Sequence, residues 1–317
     1  MEQTETMVVE YAQKILAQVR KAVVGKDTVL LWVLATVLAG GHILLEDLPG
    51  MGKPTMALAF SKVLGLQCNR MQFTPDVLPS DVTGYSVLQQ STGRLEYRPG
   101  AVLCNLFLAD ELNRATSRTQ SALLEAMEEG QVTVDGVSHP IPQPFVVIAT
   151  QNPTGAAGTQ RLPDSQLDRF MVRLSLGYPG FRDEIAMVMN RQKSDPMDLL
   201  QPLLDHRQLM ALRQLVADTY MKTDVVRYIV ELITATRKDR DIAQGASPRA
   251  TMAVAAMSKA VARLQDRDYV IPEDVSSVFV QTVAHRIFLT PGALARGDSS
   301  EDVLERILAG VKAPKLS

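Results

Sequence analysis

The sequence predicts an α/β domain with a parallel sheet, followed by a domain made of helices. A short apolar run at residues 43–45 is typical of a buried parallel strand, and a Gly-rich turn and an apolar-periodic helix follow it. A second apolar run, residues 103–109, ends in two carboxylates. From residue 205 onward the apolar side chains keep helical spacing. A chain of 317 residues is too long for one ordinary core, so we expect two domains.

Composition excludes several classes of protein. The 33 basic and 35 acidic residues leave a formal net charge of −2, which gives no strong field for nucleic acid. Cys68 and Cys104 lie in apolar surroundings without metal-ligand spacing, as in a reducing compartment. The first residues lack the features of a secretion signal, and the longest apolar run, 29–39, is too short to span a bilayer. We therefore expect a cytoplasmic protein with no membrane segment.

Two helices are predicted before the first strand. Apolar residues between positions 8 and 19 keep helical spacing, and a second helix, 28–39, ends at two glycines. Val24 and Gly25 lie in the bend between the helices, just upstream of the Gly-rich turn. This bend is either a simple interhelical turn or part of a binding site.

The Gly-rich turn after the first strand has the form of a phosphate-binding loop. It consists of Pro49, Gly50, Met51, Gly52 and Lys53. Backbone N–H groups of such a turn, and the helix N-terminus behind it, favour an anion. Lys53 would contact the β- and γ-phosphates of a nucleotide. Because turns without a function can match this pattern loosely, the prediction needs support from the rest of the chain.

The turn departs from the phosphate-loop pattern G-x-x-x-x-G-K-[ST] at two positions. Asp47 replaces the first Gly, a mild change because the following Pro and Gly residues still shape the turn. Pro54 replaces the Ser or Thr whose hydroxyl normally binds Mg²⁺, and it also lacks an N–H group. Pro is accepted in the first turn of a helix, so the fold should survive. Thr55 lies about 100° further round the helix, and we do not expect it to replace the lost ligand.

Polar side chains follow two predicted buried strands. Asp110 and Glu111 end the apolar run 103–109, and Asn152 follows the run 145–149. Ligands of parallel sheets bind at the carboxyl ends of the strands. Asp110 would hold Mg²⁺, Glu111 would act as general base on the attacking water, and Asn152 would orient that water. The alternatives are favourable acids at a helix N-terminus and an ordinary polar residue at a strand end.

The remaining predictions complete the element order. Two β-hairpins are expected, and they are either interaction surfaces or passive loops. The predicted hairpins are 86–89 with 95–98 and 131–134 with 137–141; the other strands are 69–73 and 171–174; the helices are 55–64, 117–129, 181–191, 205–215, 224–236, 247–263, 272–285 and 300–308. Ser247 and Pro248 start one helix as N-cap and first helical residue. Arg249 follows in the first turn, where a cation opposes the helix dipole, so an anion such as phosphate is expected nearby.

The order of these parts resembles the MoxR family of AAA+ ATPases over nearly the whole chain. The most specific stretches are 73–84, 108–115, 119–128, 149–153 and 166–170. The resemblance implies an AAA+ sheet core with a phosphate loop at 1–193 and an all-α lid domain at 194–317. It also implies a ring of identical subunits, expected to be a hexamer, with ATP and Mg²⁺ at the subunit boundaries.

The resemblance also assigns roles to single residues. Lys53 belongs to Walker A, Asp110 and Glu111 to Walker B, Asn152 to sensor 1 and Arg249 to sensor 2, while Arg169 is the arginine finger for the neighbouring subunit and Val24 and Gly25 lie against the adenine. The family has Thr where this chain has Pro54. The implied partner class is a von Willebrand factor A domain protein.

Three functions follow from the sequence. The first is an Mg-ATPase that couples ring rearrangement to the remodelling or maturation of a partner protein. The alternative is a nucleotide-binding ring subunit with impaired hydrolysis, because Pro54 replaces the Mg²⁺-binding Thr. A DNA motor is the third, and the near-neutral charge argues against it.

Overall fold

The structure is a computed structural model that describes residues 2–48, 50–91, 93–152, 162–192 and 195–315, with side chains from residue 7 onward. The strands are β1 (Ile43–Glu46), β2 (Cys68–Gln72), β3 (Gly84–Gln89), β4 (Arg94–Pro99), β5 (Leu106–Asp110), β6 (Gln131–Val134), β7 (Val137–Pro140), β8 (Val146–Gln151), β9 (Val172–Leu174), β10 (Ile242–Gln244) and β11 (Phe288–Leu289). The helices are α1 (Glu2–Val19), α2 (Asp27–Leu38), α3 (Lys53–Val63), α4 (Pro79–Thr83), α5 (Ser117–Glu129), α6 (Asp164–Leu167), α7 (Phe181–Arg191), α8 (His206–Ala217), α9 (Thr223–Lys238), α10 (Pro248–Leu264), α11 (Pro272–Val283), α12 (Pro291–Arg296) and α13 (Ser300–Gly310).

A five-stranded parallel sheet lies at the centre of the fold, in the order β2-β5-β8-β1-β9. β5 and β8 are buried along their whole length, as expected for strands with both faces covered. Alternate residues of one strand enter different apolar clusters: Ile43 and Leu45 pack on one face, and Leu44 packs on the other. The predicted parallel sheet is confirmed.

The larger apolar cluster joins the sheet to the C-terminal helices. It contains Ile43 and Leu45 of β1 together with Val254 and Met257 of α10. The C-terminal part is helical as predicted, but it also contains a short antiparallel pair in which Ile242 faces Leu289. The prediction of helices alone missed this pair because strands of two or three residues carry no readable alternation. Residues 193 and 194, at the predicted domain boundary, lie outside the described residues, and that boundary stays a prediction.

Both predicted hairpins are confirmed. β3 pairs with β4, and β6 pairs with β7 across the Asp135–Gly136 turn. The rings of Tyr97 and His139 stack with their centroids 3.6 Å apart, so the two hairpins contact each other. The hairpins therefore form one surface at the side of the sheet.

Among the predicted boundaries that differ from the structure, two bear on the site. Helix α3 begins at Lys53 and not at Thr55, because Pro54 fits the first helical turn and Gly52 takes the N-cap position. Strand β5 begins at Leu106 and includes Asp110, whereas the prediction placed the strand at 103–109. Lys53 and Asp110 therefore each lie within a regular element, which fixes their backbones.

Candidate functional site

The Gly-rich turn between β1 and α3 adopts a conformation that needs glycine. Gly50 and Gly52 have φ angles of 86° and 85°, in the left-handed region that other residues rarely adopt. Met51 packs partly against the core, and Pro49 lies outside the described residues. Because α3 begins at Lys53 and Pro54 has no N–H, the backbone N–H groups of Lys53 and Thr55 are the two in its first turn that have no partner within the helix, and they are available to an anion.

Lys53 is a buried cation that contacts neutral oxygen atoms. Its Nζ donates to the backbone carbonyls of Asp47 at 2.6 Å and Gln151 at 3.2 Å, and to Oδ1 of Asn152 at 3.4 Å. Burial lowers the pKa of Lys53, and the charges of Asp47 and Asp110 oppose that effect. An ammonium group without a directly bonded anion, at the start of a helix, is suited to bind phosphate.

Glu111 lies next to Lys53 at the same edge of the sheet. Its Oε1 accepts from Nδ2 of Asn152 at 3.1 Å, so Asn152 links the ammonium of Lys53 to the carboxylate of Glu111. Its Oε2 pairs with Arg114 at 2.8 Å. The hydrogen bond from Arg114 is the largest cause that lowers the pKa of Glu111. Glu111 also has a φ of 55°, a strained value at the end of a buried strand that fixes the direction of its side chain.

Asp110 has a partner on each carboxylate oxygen. Oδ1 accepts from the hydroxyl of Thr150 at 2.7 Å, and Oδ2 accepts from Nη2 of Arg70 at 2.8 Å. Arg70 reaches Asp110 because it lies two residues before Gln72, which pairs with Asp110 in the parallel register. Arg70, Thr150 and Arg114 were not predicted as site residues from the sequence. Only Arg114, three residues after Glu111, gave a local signal in the sequence.

Asp47, the first departure from the phosphate-loop pattern, has a structural role. Its buried carboxylate accepts from the hydroxyl of Ser175 at 2.7 Å and from the backbone N–H groups of Leu176 at 2.6 Å and Gly177 at 3.1 Å. A glycine could make none of these bonds. Asp47 therefore ties the phosphate loop to the segment that follows β9.

The bend at Val24 and Gly25 packs against that same segment. Lys26 donates to the carbonyls of Gly177 and Tyr178 at 3.0 and 2.8 Å. Gly25 has a φ of 70°, and a Cβ there would lie 2.2 Å from a carboxylate oxygen of Asp183. The bend is thus fixed close to the phosphate loop through residues 177–183. Its predicted contact with adenine stays a prediction.

Arg169 and Arg249 form a second cluster at the other edge of the sheet. Nη2 of each arginine binds one carboxylate oxygen of Glu128, at 3.0 Å for Arg169, and the Arg249 contact is shorter. The anion that the position of Arg249 requires is therefore Glu128 in this chain. Ser247 caps α10 as predicted and also donates to Asp168 at 2.8 Å.

The position of this second cluster follows from its contacts with the start of β1. His42, the residue before β1, contacts the carbonyl of Met127 at 3.3 Å, and its own carbonyl accepts from Met171 at 2.8 Å. Glu128 and Arg169 thus lie at the amino ends of the strands, and Lys53 lies at their carboxyl ends. Strands of four to six residues separate these edges by roughly 10–17 Å. The structure brings Lys53, Asp110, Glu111 and Asn152 together, but not Arg169 or Arg249 with them.

Comparisons with known proteins agree with this geometry. Residues 42–172 match the model of the ATPase family associated with various cellular activities (AAA), and residues 234–307 match the AAA lid domain. Protein YeaC of Bacillus subtilis (strain 168) is 43% identical over 95% of this chain and 94% of its own length. Chaperone MoxR1 of Mycobacterium tuberculosis is 36% identical over 96% of this chain and 83% of its own length. The chain belongs to the MoxR family of AAA+ ATPases.

The fold of this MoxR-family chain agrees with a solved structure. A crystal structure from Cytophaga hutchinsonii has a TM-score of 0.90 and 34% identity, and the match covers 99% of this chain and 98% of that one. Protein MoxR of Methylorubrum extorquens is 28% identical over 94% of this chain. In the described part of this MoxR-family chain, no helix is long and apolar enough to cross a membrane.

Among the described residues at the Lys53 edge, Asp110 is the one that we expect to hold Mg²⁺. Mg²⁺ in nucleotide sites is held by one or two carboxylates, with phosphates and waters completing the octahedron. Pro54 offers no hydroxyl, and among the described residues no group of three or more His, Cys, Asp or Glu could hold a metal alone. Asp110 can still serve, because each carboxylate oxygen has a second lone pair beside its contact with Thr150 or Arg70.

Proposed function

We propose that this chain is an ATP hydrolase that works as a ring of identical subunits and remodels or matures a partner protein. The observation that carries the proposal is the hydrogen-bonded chain from Lys53 through Asn152 to Glu111, at the edge where α3 begins. A buried ammonium, an amide and a carboxylate in this order suit a triphosphate and an attacking water. Membership of an ATPase family supports the same reaction class.

In the proposed mechanism each residue has a separate task. The ammonium of Lys53 and the backbone N–H groups of Lys53 and Thr55 bind the phosphates and offset their charge. Asn152 orients the attacking water, and Glu111 accepts its proton. Glu111, whose pKa lies below the ordinary value of 4.5, is ionised at neutral pH and can accept that proton. When bound, Mg²⁺ would be held by Asp110 and would neutralise charge on the phosphate oxygens.

Arg169 and Arg249 lie too far from Lys53 of the same chain to contact one phosphate with it. We propose that they contact the triphosphate of a neighbouring copy, so that one complete site needs two chains. The MoxR resemblance implies six copies, and it implies a von Willebrand factor A domain protein as partner. The name of the relative Chaperone MoxR1 fits a remodelling role.

A second candidate function rests on Pro54. Without the hydroxyl that normally binds Mg²⁺, the chain would bind ATP in a ring but hydrolyse it poorly. Steady-state phosphate release separates the two functions when the natural chain and Pro54→Thr are each measured with and without Mg²⁺. Glu111→Gln serves as the inactive control.

If the natural chain releases phosphate in the presence of Mg²⁺ and Pro54→Thr does so at the same rate, the chain is an active ATPase and the second candidate function is wrong. No release by the natural chain, with release gained by Pro54→Thr, supports the impaired ring subunit and removes the first. Release by neither chain contradicts both, provided that each chain still binds ATP.

A further inference from the structure

Glu128 is the one described carboxylate that binds both Arg169 and Arg249. We propose that Glu128 is a positioning residue, which holds the two arginines side by side so that both face the phosphates of a neighbouring copy. The inference rests on the proposed function, in which these arginines act on a neighbour's ATP.

The electrostatics explain why a carboxylate is needed between the two arginines. The two guanidinium groups both lie beside the same carboxylate, so they are close enough to repel each other. Arg286 adds a third, buried cation to this cluster. Arg286 is already engaged by Asp168, 3.5 Å away, and by the carbonyl of Phe170 at 2.7 Å. Without Glu128, Arg169 and Arg249 would therefore lack their anion and move apart into solvent.

The hydrogen bonds leave both arginines with donors to spare. Glu128 binds only Nη2 of each guanidinium, which carries five N–H donors in total. Nε of Arg169 is buried and has no hydrogen-bond partner among the described residues. The side chain of Arg249 is 42% exposed. A phosphate can thus bind the free donors while Glu128 keeps its own contacts.

The three residues come from different parts of the fold. Glu128 lies in the last turn of α5, Arg169 precedes β9, and Arg249 lies in the first turn of α10, one of the C-terminal helices. Glu128 therefore holds Arg169 of the sheet domain next to Arg249 of the lid. If the lid moved away, the two arginines would no longer act on one phosphate.

The test uses Glu128→Gln, with Glu129→Gln as matched control because Glu129 is exposed at the same helix end and makes no ion pair with any described residue. We expect Glu128→Gln to lower kcat about 10- to 100-fold, the usual cost of misplaced catalytic groups. ATP binding by the same chain should be unchanged, because its own phosphate site lies at the opposite edge. Glu128→Asp, which keeps the charge, should restore part of the rate.

A mixing experiment tests whether the loss of turnover in Glu128→Gln arises in the chain that supplies the arginines. Arg169→Ala chains keep a complete Lys53 edge, and Glu111→Gln chains supply intact arginines without hydrolysing ATP. Adding Glu111→Gln chains should restore turnover to Arg169→Ala chains, and adding the double variant Glu111→Gln, Glu128→Gln should not. Equal rescue by both would overturn the inference.

Two other results would separate a failure of the proposed function from a failure of the role of Glu128. If Arg169→Ala and Arg249→Ala keep the full rate, the shared site of the proposed function is wrong, and the role of Glu128 falls with it. If both arginine variants lose rate and Glu128→Gln does not, the shared site stands and the inference alone is wrong. Equal melting temperatures of Glu128→Gln and Glu129→Gln would exclude simple unfolding as the cause.

Discussion

Lys53 is a residue whose chemistry is set by burial. Its side chain is 5% exposed, yet no carboxylate oxygen in the described structure bonds to its ammonium group. Removal from water costs a cation a large free energy unless an anion or several oxygens compensate. The carbonyls of Asp47 and Gln151 compensate in part, which leaves Lys53 ready for a phosphate.

We predict that Lys53→Ala weakens ATP binding about 10- to 100-fold, because one charge-assisted hydrogen bond contributes roughly 1.5–3 kcal/mol. Lys62→Ala, near the exposed end of the same helix, is the matched control and should bind ATP normally. Titration calorimetry with ATP measures both variants. Equal affinities would show that Lys53 does not contact the nucleotide.

Glu111 gives a pH prediction at the same scale. Its folded-state pKa lies below the ordinary value of 4.5, so its ion pair stabilises the fold above pH 4.5, and this stabilisation is lost as pH falls through the lowered pKa. The stability difference between the natural chain and Glu111→Gln should thus be constant above about pH 5.5 and shrink below pH 4.5. Urea unfolding from pH 3 to pH 7 measures it.

Arg114→Ala is the control for this pH dependence. The hydrogen bond from Arg114 is the main cause of the lowered pKa, so its removal should move the loss of stability to higher pH. A pH profile that Arg114→Ala leaves unchanged would contradict the assignment.

At the scale of elements, the carboxylate of Asp47 joins two neighbouring strand ends. It lies after β1 and binds the segment after β9, and β1 and β9 pair in parallel. The Gly-rich turn that we propose to bind phosphate is thus fixed by hydrogen bonds to the segment after β9, the outermost strand of the sheet. Lys26, in the bend between α1 and α2, donates hydrogen bonds to carbonyl groups of the same segment.

We predict that Asp47→Ala lowers the free energy of unfolding by about 2–4 kcal/mol, because two backbone N–H groups lose their acceptor. Ser175→Ala removes only one hydroxyl from the same cluster and should cost about 1 kcal/mol. Urea unfolding at neutral pH measures both. Similar costs for the two variants would mean that the backbone contacts contribute little.

Elements with strong periodicity could be predicted from the sequence, and short ones could not. The apolar run before Asp110 and the Gly-rich turn before Lys53 each indicated the end of a buried strand. Because the strands are parallel, such ends lie at one edge of the sheet. The pair β10–β11 is too short for any pattern. Arg70 and Thr150 were missed because their contacts with Asp110 depend on strand register, which one sequence does not reveal.

At the scale of the whole molecule, the Lys53 edge and the Arg169 edge face different ways. The family resemblance implied an arginine finger for Arg169 and sensor 2 for Arg249, and the helix position of Arg249 predicted a nearby anion without indicating that Glu128 supplies it. The pairing of Arg249 with Glu128 depends on how the lid packs on the sheet, and single-helix patterns contain no such information.

We predict that the ATP turnover per chain falls on dilution, because in the proposed function each complete site takes residues from two copies. ATP binding per chain should change far less, since Lys53 and its neighbours belong to one chain. Turnover and light scattering over the same concentration series test this. A constant turnover per chain at concentrations where the copies have separated would contradict the shared site.

The separation of the two edges also limits the kinds of assembly that can work. A contact between unlike surfaces is head-to-tail, and such contacts either close into a ring or continue into a helical filament. An open array of any length leaves one unmatched site at its end, whereas closure leaves none. Short arrays would therefore be the least productive, and closure into a ring would give the largest number of complete sites per chain.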